Sequence, residues 1–171
     1  RLAPWARARC SGGEIMKTFV ILSDTHGRRK NMEKISALFW ENDYVVHLGD
    51  GAGDMRDYCA RDPEKFYVMK GNCDFVSALE ETVIEAEGVR IFCCHGHKYG
   101  VKSTLARLAA RAKELDCTLA LYGHTHRAGI ADVDGVLCVN PGAAGDYVSP
   151  SYCYLAVHGE KTTPVIVPIE H

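Results

Sequence analysis

The chain predicts an α/β fold, and three observations carry that reading. Apolar, β-rich runs repeatedly empty into short turns rich in Asp, Asn, His and Gly, at Asp24-Thr25-His26, Gly49-Asp50, Gly71-Asn72, His95-Gly96-His97 and Gly123-His124-Thr125-His126. Several of these runs are separated by segments of helical periodicity, the order expected of parallel strands joined by crossover helices. The last third changes to short strands punctuated by turn residues, which predicts an antiparallel end to the sheet.

Thr18 to Leu22 is a continuous apolar run, the mark of a strand buried on both faces. Met32, Ile35, Leu38 and Phe39 recur at helical spacing through Trp40, predicting one amphipathic helix that returns the chain to a parallel strand over Tyr44 to Leu48. A short helix around Met55 to Ala60 and a strand over Phe66 to Met69 complete a third repetition. Right-handed crossovers place the turns of all three units on one edge of the sheet. Thr82 to Ala86 and Val89 to Cys94, joined by Glu87-Gly88, predict a hairpin. Val101, Leu105, Leu108, Ala112 and Leu115 mark a further amphipathic helix feeding the strand Thr118 to Tyr122. Ile130 to Val133, Val136 to Val139, Tyr152 to Val157 and Pro164 to Pro168 are the short terminal strands.

At 171 residues the length suits one domain, read as 16–171. Residues 1–15 are Arg-rich, contain Pro4 and Gly12-Gly13 and lack periodicity, so they read as a poorly ordered upstream extension or cloning remnant, with Met16 as the natural start. A composition of 47% hydrophobic and 25% charged residues is that of a soluble globular protein, and no apolar run approaches the ~18 residues of a membrane span. A net charge of −2 offers no general attraction for nucleic acid, and Arg28-Arg29-Lys30 reads as a solvated helix start. The eight cysteines show no C-x-x-C spacing and lie mostly in apolar runs, so free thiols in a reducing cytoplasm are expected.

Residues two apart in an extended segment share a face about 7 Å apart, so His124 and His126 look into one space. With Asp24, His26, Asp50, Asn72 and His95 they make seven oxygen or nitrogen donors on separate turns of one sheet edge. Their hardness and number suit a pair of divalent ions (manganese, with iron, zinc and nickel as alternatives) better than one thiolate-bound zinc. Ions about 3.5–4 Å apart require a bridging ligand, and the two carboxylate oxygens of Asp50, central in the chain order, suit that role. Singly, each donor has an ordinary reading as helix cap, turn residue or satisfied strand-end histidine. His47 reads as a core or supporting residue, and Lys98 and Tyr99 as either phosphate contacts or a solvated loop.

In this order, Asp-x-His, Gly-Asp, Gly-Asn, His and Gly-His-x-His resemble the signature of calcineurin-like metallophosphoesterases, and Cys73-Asp74 after Gly71-Asn72 resembles the small YfcE-type branch. The resemblance implies a four-layer αββα sandwich with mixed central sheets. It implies that Asp24, His26, Asp50 and His126 hold one ion, that Asp50, Asn72, His95 and His124 hold the other, and that a bridging hydroxide attacks phosphorus in line. Asp50, Asn72, Cys73 and His97 are then the candidate catalytic residues. Larger relatives have His where this chain has Cys73, a weaker donor, so a preference for phosphodiesters or other esters with good leaving groups is expected, with His97 as a substitute acid. Ala143 stands where Ser is common, which removes a hydroxyl contact. A small-molecule phosphodiester, with no nucleic acid and no membrane, is the expected partner, and a homo-oligomer is left open. The rival reading is a non-catalytic scaffold like the phosphoesterase-like retromer subunit. Gly49-x-Gly51-x-Gly53 fails as a dinucleotide loop because its third glycine is misplaced, and no P-loop, His-Glu-x-x-His or Gly-x-Ser-x-Gly appears.

Overall fold

The computed structural model describes residues 15–170; the proposed extension 1–15 therefore lies outside the described residues, except for Ile15. Two five-stranded mixed sheets form the centre. The first runs β10-β9-β1-β2-β3, built from β1 (Met16–Leu22), β2 (Tyr44–His47), β3 (Phe66–Val68), β9 (Ser151–His158) and β10 (Lys161–Pro168). The second runs β4-β5-β6-β8-β7, from β4 (Glu81–Ala86), β5 (Val89–Cys94), β6 (Leu119–Leu121), β7 (Gly129–Val133) and β8 (Val136–Asn140). The β1–β2, β2–β3, β5–β6 and β6–β8 pairs are parallel. The β1–β9, β9–β10, β4–β5 and β7–β8 pairs are antiparallel.

Alternation along the strands divides the apolar side chains between three layers of core. Phe19, Ile21, Val46 and Leu48 from one sheet meet Ile91, Cys93, Leu119 and Leu121 from the other. On the outer face of the first sheet, Val20, Leu22 and Val45 pack against Met32, Phe39 and Met55. Phe92, Ala120 and Cys138 do the same on the second, against Leu108, Ala109 and Ala112. The result is a four-layer αββα sandwich. Each fully buried Leu, Ile or Phe contributes about 1.5–3 kcal/mol, so the inter-sheet layer is the largest single source of cohesion.

Three expectations need correction. The helix over Met32 to Trp40 is two helices, α1 (Arg29–Lys34) and α2 (Ser36–Glu41). The break is at Ile35, with φ −101° and ψ 5°, where Ile35 N–H donates to Met32 O and Leu38 N–H to Ile35 O, three residues back instead of four. Ile35 stays buried, so the apolar spacing survives a break that it does not reveal. The helix read from Val101 is only α4 (Ala106–Glu114), because Gly100 O accepts from Ser103 and Thr104 in a preceding turn. Finally, β8 pairs in parallel with β6, so the end of the chain is only partly antiparallel. The remaining helix, α3 (Arg56–Arg61), follows a 3-10 turn at Ala52–Met55. Among the described residues no helix is long and apolar enough to cross a membrane.

Candidate metal centre

The seven donors converge, but across two sheets instead of along one edge. Asp24 and His26 follow β1, Asp50 follows β2 and Asn72 follows β3, all in the first sheet; His95 follows β5, and His124 and His126 follow β6, in the second. Their turns are locked together by backbone bonds: Asp24 N–H donates to Gly49 O at 2.9 Å, His26 N–H to Asp50 O at 2.9 Å, and Gly123 N–H to His95 O at 3.0 Å. Five of the seven have left-handed backbone: Asp24 (φ 55°), His26 (48°), Asp50 (54°), His124 (67°) and His126 (60°). Such conformations each cost on the order of 1 kcal/mol for non-glycine residues, and five of them are gathered at this one place.

Lone pairs meet at this place without protons to satisfy them. Asp24 is fully buried; its Oδ2 accepts from Ser23 Oγ at 2.6 Å and His124 N–H at 3.1 Å, whereas Oδ1 accepts no hydrogen bond. That oxygen lies 3.1 Å from His126 Nε2 and 3.8 Å from His26 Nε2. Burial raises the Asp24 carboxyl pKa, against the lowering by Ser23 and by His95 and His126, so its charge needs a cationic neighbour. His95 Nδ1 lies 2.8 Å from Leu48 O and, facing a carbonyl, must carry the proton. Its Nε2 faces Asn72 Oδ1 at 3.1 Å and Asp50 Oδ2 at 3.4 Å, and in a neutral ring of this tautomer it is the atom that offers a lone pair. Burial, then His95 and Lys102, push His124 down to about 4, so its ring is neutral and able to ligate at neutral pH. Converging acceptors of this kind fit divalent cations.

Asp24, His26 and His126 form one such cluster, and Asp50, His95 and His124 another, each with donor atoms within 4.8 Å of one another. Asp50 connects them. Its Oδ2 faces both His26, at 3.8 Å, and His95, at 3.4 Å, while Oδ1 accepts from Cys73 N–H at 2.7 Å.

The candidate catalytic residues lie around this centre. Cys73 is exposed, and its Sγ joins His26 and Asp50 in a third cluster within 4.8 Å. Burial of the sulfur, then Asp50, raises the thiol pKa, so it is neutral at pH 7. His97 sits on the rim, with ring centroids 5.4 Å from His95 and 6.1 Å from His124. Lys98 and Tyr99 are not directed at the centre: Lys98 Nζ pairs with Glu80 at 2.9 Å and the Tyr99 hydroxyl donates to Glu81. Arg28, ahead of α1, donates to Gly145 O and stacks on Tyr147.

Several residues support these turns; the sequence marks His47 as core or supporting, but not Asp74 or Asn140. Asp74 accepts from the N–H groups of Asp50, Gly51, Ala52 and Gly71 at 2.8–3.0 Å and ties two donor turns together. Burial pushes its pKa up, but these four donors outweigh it and hold the carboxyl below its ordinary value. Buried His47 accepts at Nδ1 from Gly49 N–H, so Nε2–H faces Thr25 Oγ1 at 3.1 Å, and Thr25 in turn donates to Asp54 at 2.6 Å. Buried Asn140 donates to Gly123 O and Thr125 Oγ1, both at 3.0 Å, fixing the Gly-His-x-His turn. Gly123 itself is required by closeness: a Cβ there would lie 2.0 Å from Ser23 Oγ and 2.9 Å from Asp24 Oδ2.

Residues 16–162 match the model of the calcineurin-like phosphoesterase superfamily domain. The chain belongs to this superfamily. A probable metallophosphoesterase of Bacillus subtilis, YsnB, is 36% identical over 126 residues, covering 72% of this chain and 73% of that protein. A phosphodiesterase of Methanocaldococcus jannaschii is 27% identical, covering 75% of this chain and 85% of its own length. Among solved structures, Vps29 of Cryptosporidium parvum superposes with a TM-score of 0.75 at 17% identity, covering 92% of this chain and all of that one, a likeness of fold. The phosphoesterase fold is thus the frame on which these donors sit, and hydrolysis of phosphoesters with divalent metal is the chemistry of the superfamily.

Proposed function

We propose that this phosphoesterase is a cytoplasmic phosphodiesterase that works with two divalent ions, manganese first among them, bound by Asp24, His26, Asp50 and His126 on one side and by Asp50, Asn72, His95 and His124 on the other. The observation that carries the reading is the buried Asp24 Oδ1, which accepts no hydrogen bond while two imidazoles crowd it. When bound, such ions supply Lewis-acid charge at the phosphoryl oxygens and lower the pKa of water toward neutrality.

The chain's own residues supply the rest. Asp50 holds the two donor groups in register through Oδ2. Asp74 fixes the backbone beneath it. Cys73, beside Asp50 and His26, stands where a leaving group would need a proton; a neutral thiol donates weakly, which favours esters with good leaving groups. His97, beside His95 and His124, is the alternative acid. The relatives include a phosphodiesterase, in keeping with a diester substrate. The free thiols Cys59, Cys73, Cys93, Cys94, Cys117, Cys138 and Cys153 suit a reducing compartment. The Vps29 likeness keeps a non-catalytic scaffold as the rival, and the complete donor set argues against it.

The test is metal analysis of the purified protein together with hydrolysis of bis-(p-nitrophenyl) phosphate in added Mn, beside Asp50→Asn and His126→Ala. Hydrolysis lost from both variants supports the enzyme. Bound metal with no hydrolysis of any ester assigns the ions a structural role, and a protein that binds no metal is the scaffold.

A further inference from the structure

Beside the metal centre lies a cleft of about 370 Å³ whose wall includes His26, Asp50, Cys73, Phe75 and Val76. Its chemistry is divided. The floor of carboxylate and imidazole accounts for a phosphoryl group and its ions, but not for Phe75, whose relative exposure is 101%, or for Val76 at 41%. An isolated exposed Phe needs no explanation; one in the wall of the reaction cleft does.

The backbone that presents Phe75 is fixed. Its neighbour Asp74 is held by four backbone N–H groups from the Asp50 and Gly71 turns, and Asp74 N–H donates back to Gly71 O. Val76 lies on the same wall, across from Gly53. The backbone next to Phe75 is therefore held by the same turns as Asp50, while the ring stands free in the wall of the cleft and can turn a face toward a bound group. An aromatic face next to an anion site is suited to a flat apolar group attached to phosphate.

We propose that Phe75 is a specificity residue: it stacks against a planar aromatic group on the phosphoester, and the enzyme selects aryl-bearing over alkyl-bearing esters through it. This rests on the phosphoesterase reading above, and binding tests it separately from turnover. Titration calorimetry of the Mn-loaded protein with phenylphosphonate and methylphosphonate, whose C–P bonds resist ester hydrolysis, measures the preference directly. Wild type is expected to bind the phenyl compound more tightly, and Phe75→Ala to weaken it by between about fivefold and a hundredfold while leaving the methyl compound within about twofold. Phe75→Trp should keep the preference, and metal content should be equal in all three proteins. Equal binding of the two compounds by wild type, no binding of either, an equal loss for both in Phe75→Ala, or a preference that survives Phe75→Ala overturns the proposal. Failure to hydrolyse any ester alongside an intact phenyl preference would instead overturn the phosphodiesterase reading alone.

Discussion

The Nε2 atoms of His26 and His126, 100 positions apart in the chain, face each other at 3.2 Å. Two imidazoles approach in this way around a shared proton or a shared cation, and the buried Asp24 Oδ1 beside them favours the cation. Adding Mn at a hundred times its Kd should stabilise the protein by about 2.7 kcal/mol, read as a rise in Tm that a chelator reverses. His126→Ala should lose most of that increment. An unchanged increment in the variant would show that the ion binds elsewhere.

Asp74 is the anchor of the Asp50 and Gly71 turns. Asp74→Ala should cost about 2–4 kcal/mol, since several buried N–H groups lose a charged acceptor. It should also weaken metal binding, because the turns that hold Asp50 and Asn72 come apart. Urea titration and metal titration of the same preparation separate the two effects.

His47 predicts a pH dependence. Burial depresses its pKa to about 4 from the ordinary 6.5, so the folded state holds it neutral. This contribution is complete above pH 6.5 and is lost as pH falls toward 4, because the unfolded chain takes up the proton first. The loss over that window is about 3 kcal/mol at most. His47→Gln should flatten this part of the stability profile measured on metal-free protein; an unaltered slope would assign the dependence to other groups.

On the proposed mechanism, the weak donor Cys73 favours esters with good leaving groups. Replacing its thiol by imidazole, in Cys73→His, should raise hydrolysis of phenyl phosphate relative to p-nitrophenyl phosphate by roughly tenfold, since a better proton donor helps the poorer leaving group more. An unchanged ratio would move the acid's role to His97.

The donors were legible because ligation uses side chains of few types at turn positions, and Asp24, His26, Asp50, Asn72, His95, His124 and His126 follow their strands as the pattern requires. What supports them was legible only in part. Asp74 and Asn140 act on backbone N–H and C=O groups, which carry no sequence signature, and His47 was readable as a core or supporting residue but not for which groups it holds. The strand pattern of β5 and β6 could not reveal that they belong to a second sheet, because alternation records burial and not partnership. Ile35 hid the helix break for a related reason, since it is buried in either conformation.

The chain path through the two sheets has a consequence for synthesis. The second sheet is contiguous, Glu81 to Asn140, whereas the first is closed only when Ser151–His158 comes back to pair with Met16–Leu22. A nascent polypeptide that has not yet emerged past residue 150 therefore carries Phe19–Leu22 with one flank unpaired, a run of the most apolar residues in the molecule. The eight residues Ser151–His158 therefore decide whether the earliest strand is sheltered or sticky.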